Sequence, residues 1–359
     1  MVRNGHVWRG GMLALALGML LLSLAGAGAQ TGPRRVFLPL ASKDTGEPPV
    51  SGQWEVVSAP STAALFAVAW SDASTVWTVG SGGTVLRSRD RGASWQPVSV
   101  GTGADLYGIR FASAQVGVIA GTGGTVLRTA DGGATWSRVA VASGANLGFL
   151  WFASEQVGYL AGDGGTILRT VDGGASWQRV TIPFDRDITG IHCLDPQTCW
   201  AAGSSDTGGV VLRTTDGTGW QQVGGGFTPL GAVWFLDRQV GVVGGDPTFT
   251  TGESNLWRTS DSGQSWSRAR TDIFGPAITG FAFSTGSTGW ASAEERIVLQ
   301  TDDGGQSWRT VLPQLKVPGQ NRWLHAIAAR PNGAVVAVGA VYPADGSFTP
   351  LAAIIVRRR

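Results

Sequence analysis

One phrase is written six times along this chain of 359 residues, most fully as TVLRTADGGATW (125–136) and TILRTVDGGASW (166–177). The copies end in Trp95, Trp136, Trp177, Trp220, Trp266 and Trp308, at intervals of 41, 41, 43, 46 and 42 residues. Between them lie short runs rich in Val, Ile, Phe and Trp, punctuated by Gly pairs, with no helical periodicity beyond the first thirty residues. A period near forty with that composition is the repeat of a four-stranded propeller blade and excludes a helical solenoid.

Residues 106–140 give the pattern of one unit: strand a in LYGIRF (106–111), strand b in GVIAG (117–121), strand c in TVLRT (125–129), and strand d from Thr135-Trp136. Strand a recurs near Leu65, Leu106, Leu147, Ile188, Leu230, Ile278 and Leu324, which makes seven starts against six complete phrases. The seventh unit supplies LHAIAA, AVVAVG and IIVRR, with Arg357 where Arg128 stands, but no fourth strand. Trp54 in GQWEVV lies 41 residues before Trp95 and has no phrase in front of it. The expectation is an all-β, seven-bladed β-propeller over 54–359, four antiparallel strands per blade. The N-terminal strand completes the last blade and closes the ring, so no raw sheet edge is left.

Ahead of the repeat, Arg3 and Arg9 precede the apolar run MLALALGMLLLSLA (12–25) and Ala27-Gly28-Ala29. That order is a secretory signal peptide over 1–29, and it predicts export to a periplasmic, luminal or extracellular space. Residues 30–53, with four prolines, read as an extended linker. Removing 1–29 takes two arginines and leaves 25 basic against 25 acidic groups, so nothing in the balance favours nucleic acid. A monomer is expected.

Each phrase carries Ser/Thr-x-Asp-x-Gly-x-Ser/Thr-Trp, with Asp90, Asp131, Asp172, Asp261 and Asp303, while the copy at Asp216 is one residue short. A carboxylate there accepts the N–H groups of its own turn, Gly supplies the conformation other residues resist, and Trp folds back over the hairpin. These six acids are therefore read as c-to-d turn devices, neither catalytic nor metal-binding. The phrase resembles the BNR or Asp-box repeat of sialidases, some glycanases and sortilin-type receptors. Its full form at 121–136 and 162–177 looks most like the photosystem II stability/assembly factor family of propellers. That resemblance implies an exported, non-catalytic scaffold without a cofactor, binding a protein partner such as a membrane-complex subunit. It makes the recurring Arg87, Arg128, Arg169, Arg213, Arg258 and Arg357 the candidate partner-binding residues; Gln300 replaces the arginine in the sixth copy. An arginine packed along a Trp and bonded to a nearby carbonyl would serve the blade instead.

Cys193 and Cys199 replace an aromatic at the end of strand a and a Gly at the start of strand b, the pair that reads Phe111/Gly117, Phe152/Gly158, Phe235/Gly241 and Phe283/Gly289 elsewhere. Such positions face each other across the hairpin, so a disulfide is expected. His192, the one nearby His, points to the other face of its strand and leaves a metal without ligands. His325 is read as packed or hydrogen-bonded.

The competing reading is a carbohydrate-active protein, either glycan-binding or a hydrolase. Against it stand the absence of an Arg-Ile-Pro segment, only three tyrosines, and room for one propeller rather than two. Acids left unassigned are Asp185, Asp187, Asp246 and Glu253. The chain departs most from its repeat in the b-to-c loops 246–255 and 342–350 and the d-to-a connections 268–277 and 309–323, which emerge on one face. There Phe249, Phe274, Trp323, Tyr342 and Phe348 are candidate anchors.

Overall fold

The computed structural model describes residues 54–205, 208–246, 255–273, 275–312 and 318–358. The expected leader (1–29) and linker (30–53), with Phe249, Glu253 and Phe274, lie outside the described residues.

Seven sheets are present among the described residues; in each the four blade strands pair antiparallel, and in the first six they follow the order of the chain. The first blade is built from Leu65–Trp70, Val76–Gly80, Val85–Ser88 and Gln96–Pro97, the second from Leu106–Phe111, Gly117–Gly121, Val126–Thr129 and Ser137–Arg138. The innermost strands of successive blades touch one another in turn, and that of the seventh touches that of the first. The seventh blade orders its strands as Gln320–Ala329, Val335–Pro343, Ala352–Arg358 and then Trp54–Val57. Trp54 faces Arg358 and Val57 faces Ile355 in that pairing, so the N-terminal strand is the clasp that the blade count requires.

The core lies between blades rather than within them. Ala69, Trp77, Val79 and Val85 of the first blade pack with Leu106, Ile109, Ile119 and Leu127 of the second. At the closing seam Leu65, Val68 and Leu86 pack with Val336, Val338 and Ile355. Each blade thus buries its apolar face only against its neighbours, which makes the closed ring the folding unit.

Asp131 shows how the repeated turn is made. Its Oδ1 accepts the Thr129 hydroxyl at 2.7 Å and the Thr135 N–H at 2.9 Å, and its Oδ2 accepts the Thr135 hydroxyl at 2.6 Å. In the third blade Gly174 has φ 82°, and a Cβ there would stand 2.7 Å from Val118 of the preceding blade. Trp177 closes the turn by donating its indole N–H to the Gly174 carbonyl. Because the turn occupies these residues, strand d begins one residue after the Trp in the first three blades.

The aromatic-over-glycine pairing is also present: Phe111 faces Gly117, whose added Cβ would lie 2.6 Å from the ring. At the equivalent place in the fourth blade Cys193 faces Cys199 with Cα atoms 4.0 Å apart, joined as a disulfide.

Three features depart from the repeat. Arg270–Thr271 runs parallel to Ser307–Leu312 and gives the sixth blade a fifth strand, fixed where Asp272 accepts the Thr310 N–H and hydroxyl. Trp323 and Tyr342, expected in loops, lie within the long paired strands of the seventh blade. Residues 344–351 bring the exposed Phe348 and Leu351 to the surface.

Candidate functional site

A single geometric event repeated in all seven blades creates the central channel. Strand a slips register against strand b once per blade, leaving an extra residue between Leu65 and Ala67, Leu106 and Gly108, Leu147 and Phe149, and at the same step in the other four. A bulged residue is left out of the ladder and re-aimed. The seven so placed are Phe66, Tyr107, Gly148, Thr189, Gly231, Thr279 and His325, and all line one cavity of about 1000 Å³. Blades seven, one and two contribute rings to this collar, with Phe66 5.3 Å from Tyr107 and 5.5 Å from His325. His325 Nδ1 donates to the Leu65 carbonyl at 2.8 Å, and burial pushes its imidazole down to about 4, so it is neutral.

Three residues beyond the bulge, strand a carries Ala69, Arg110, Trp151, His192, Trp234, Ala282 and Ala328 around the ring. Here the chemistry falls on the opposite side. The Arg110 guanidinium lies over the Trp151 ring at 4.0 Å. His192 stands 4.3 Å from both Trp151 and Trp234, which meet edge to face at 5.1 Å. Burial, helped by the Arg110 charge, pushes the His192 imidazole down to about 3, and burial alone lowers Arg110 to about 10.

Two carboxylates mark the mouth. Asp246 and Glu294 follow the second strands of the fifth and sixth blades and line the same cavity, as do Asp185 and Asp187. Burial raises Asp246 to about 6; burial and then the charge of Asp246 raise Glu294 to about 7. Among the described residues no group of three or more His, Cys, Asp or Glu is placed to hold a metal ion.

The recurring arginines lie away from this channel, beside the Asp turns. Arg128 donates its Nε–H to the Gly173 carbonyl in the turn of the next blade, and Arg258 does the same to Gly304. Arg169 bonds the Tyr159 hydroxyl, which itself donates toward the Gly217 carbonyl of the next turn. Arg87 lies over Trp77 and Arg213 over Trp200, while Arg357 pairs with Glu55. Each guanidinium therefore has a structural engagement, and all six remain partly exposed. Trp323 and Tyr342 are buried against each other, leaving Phe348 as the one surface ring among the anchors the structure describes. Of these groups the sequence points to His192, His325, Asp185, Asp187 and Asp246 without a channel role, and not to Phe66, Tyr107, Arg110, Trp151, Trp234 or Glu294. Aligning the fourth residue after each start of strand a, which reads Ala, Arg, Trp, His, Trp, Ala and Ala around the ring, carries the signal.

A seven-bladed ring with turns of this kind is a propeller scaffold, and the comparisons place it within one family. The family described as photosynthesis system II assembly factor YCF48 matches residues 46–144 and 230–356, more than half of the chain, and the protein belongs to that family. No curated protein sequence matches. Among solved structures, "YCF48 bound to D1 peptide" superposes with a TM-score of 0.66 at 19% identity, over 85% of this chain and 96% of that one. YCF48 from Cyanidioschyzon merolae gives 0.65 at 20% identity over 86% and 99%. A GH74 xyloglucanase from Xanthomonas campestris gives 0.57 at 15% identity over 76% of this chain but 50% of the enzyme.

Proposed function

We propose that this protein is an exported, monomeric, non-catalytic scaffold that docks a polypeptide segment of a membrane-complex subunit. The observation that carries the reading is family membership joined to a complete ring, since a related propeller has been seen holding a D1 peptide. The docking surface is assigned to the face of the Asp turns, where six partly exposed arginines recur at one radius, and Phe348 is a separate apolar contact. A guanidinium whose Nε is already fixed loses little further freedom when its outer N–H groups meet a carboxylate, which suits it to recognition as well as to the fold.

Fluorescence anisotropy with a labelled D1 peptide tests this. Binding to the wild type that falls at least about tenfold in Arg128→Glu/Arg169→Glu is expected. An intact double variant with undiminished binding would remove the arginine face, and no binding to the wild type would remove photosystem subunits as the partner class. Fractionation of the full-length chain tests export, and recovery with the cytoplasmic proteins would overturn it.

One observation favours a second reading. Two buried carboxyls with raised affinity for protons share the channel mouth, a combination also found where acids act on glycosidic bonds. Xyloglucan turnover abolished by Glu294→Gln would move the protein to the glycanases; no turnover supports the scaffold.

A further inference from the structure

Beyond the bulged collar the channel is lined by Arg110, Trp151 and Trp234, whose side chains are hydrogen-bond donors. Arg110 has no carboxylate or other hydrogen-bond partner among the described residues; it is partly exposed to the cavity, with one face on Trp151. The indole N–H groups of Trp151 and Trp234 also have no acceptor among the described residues. His192 adds a fourth donor by a tautomer argument. The Phe235 N–H reaches His192 Nδ1 at 3.3 Å, and since an N–H can only donate, the proton of the neutral ring sits on Nε2. That Nε2–H is without an acceptor among the described residues.

A guanidinium held against a ring with no carboxylate beside it keeps its outer N–H groups for an incoming acceptor. Propeller repetition does not demand this arginine, because the same position is alanine in the first, sixth and seventh blades. Arg110, Trp151 and Trp234 all line the cavity of about 1000 Å³, so the cluster faces open space.

We propose that this level of the channel binds a small monocarboxylate with a flat apolar body, its two oxygens held by the fork of Arg110 and its body lying against Trp151 and Trp234. A carboxylate matches the planar guanidinium through two parallel hydrogen bonds, which a neutral carbonyl cannot do with equal strength. Rings already gathered by mutual contact present an apolar wall without further loss of side-chain freedom. The acids at the mouth, Asp185, Asp187, Asp246 and Glu294, repel multiply charged anions and so oppose nucleotides and sugar phosphates. This site is separate from the arginine face beside the Asp turns and does not depend on peptide docking.

Saturation-transfer NMR and calorimetry with benzoate as the probe, and benzamide as its neutral isostere, test the assignment on the full protein. Saturable benzoate binding is expected, at least about tenfold tighter than benzamide, and reduced at least about tenfold in Arg110→Met. Arg179→Met, at an exposed position of the third blade, should bind benzoate as the wild type does. Arg110→Met should melt no lower than the wild type, since it removes a charge without a counter-ion, so loss of binding would not be confused with loss of fold. In Arg110→Lys the charge remains and the fork is gone, and affinity should fall between the two. Equal binding of benzoate and benzamide, undiminished binding by Arg110→Met, or a lower melt in that variant would each overturn the proposal.

Discussion

Arg128 of the second blade donates its Nε–H to the carbonyl oxygen of Gly173, in the Asp turn of the third, at 2.8 Å. Arg258 and Gly304 repeat the contact between the fifth and sixth blades at 3.0 Å. A residue recurring in strand c is thus a staple between blades, placed where sheets meet only through side chains. Arg128→Met should remove a charge-assisted hydrogen bond and destabilise the ring by about 1–2 kcal/mol. Calorimetry should show one cooperative transition moved down by a few degrees, because no blade has a core of its own. A variant that melts like the wild type would remove the staple.

Asp131 is expected to stabilise its turn in its ionised form. The Thr135 hydroxyl, the Thr135 N–H and the Thr129 hydroxyl all donate to it and hold its carboxyl down to about 2 from the ordinary 3.8. A folded value below the unfolded one means the unfolded chain binds the proton more tightly, so this stabilisation is present above pH 3.8 and lost as pH falls toward 2. Asp261 and Asp216 are lowered to about 2 by equivalent donors from their own turns. Asp131→Ala should lower the melt at neutral pH and blunt its fall in acid. Melting curves from neutral to acid pH for both proteins check this, and parallel curves would contradict it.

The closing strand is the next test. Trp54 is buried in the core between the sixth and seventh blades, and Glu55 pairs with Arg357 across the strands. Trp54→Ala should cost roughly 3–5 kcal/mol, the range for a large aromatic taken from a packed core. Amide exchange should then be fastest in Ala352–Arg358, the strand whose outer partner is loosened. Uniform exchange across all blades would place the weak point elsewhere.

The ring, its blade count and its clasp were legible because they rest on local chemistry repeated at a fixed interval. Seven starts of strand a and one orphan tryptophan left a single way to complete the sheets. The channel was less legible for a matching reason. Phe66 and Tyr107 reach it through a bulge, a slip in pairing that a period-two reading of LFAVAW or LYGIRF does not reveal. Strand alternation turns His192 away from the disulfide, but what it meets on that side comes from the neighbouring blades and is invisible along one strand. The surroundings of Trp323 and Tyr342 depart from the repeat and so read as loops, whereas that departure lengthens two strands and buries both rings.

Cys193 and Cys199 close a hairpin at the position where four other blades use an aromatic ring over a glycine. Reduction should lower stability by about 2 kcal/mol, the value for a short closed loop. The ring-over-glycine pair is an alternative solution to the same geometry. Cys193→Phe/Cys199→Gly should therefore melt higher than Cys193→Ser/Cys199→Ser. The reverse order would show that the fourth blade has no room for the ring.

Glu294 and Asp246 should give the protein a dependence on pH opposite to that of the Asp turns. Burial first, and then the Asp246 charge, raise Glu294 from 4.5 to about 7, and burial raises Asp246 from 3.8 to about 6. A raised folded value means the native state binds the proton more tightly than the unfolded chain does. Stability therefore falls as pH climbs from the unfolded value to the folded one and levels off beyond it, by at most about 1.4 kcal/mol per pH unit for each group. The acid limb set by Asp131 and its equivalents lies below this window, so the melt should peak on the acid side of neutrality. Glu294→Gln keeps the shape and removes the charge, and it should flatten the decline toward pH 7 while leaving the acid limb intact. A wild-type melt that rises steadily to neutral pH would show that these carboxyls are ionised without penalty, and that the mouth of the channel is wetter than its geometry implies.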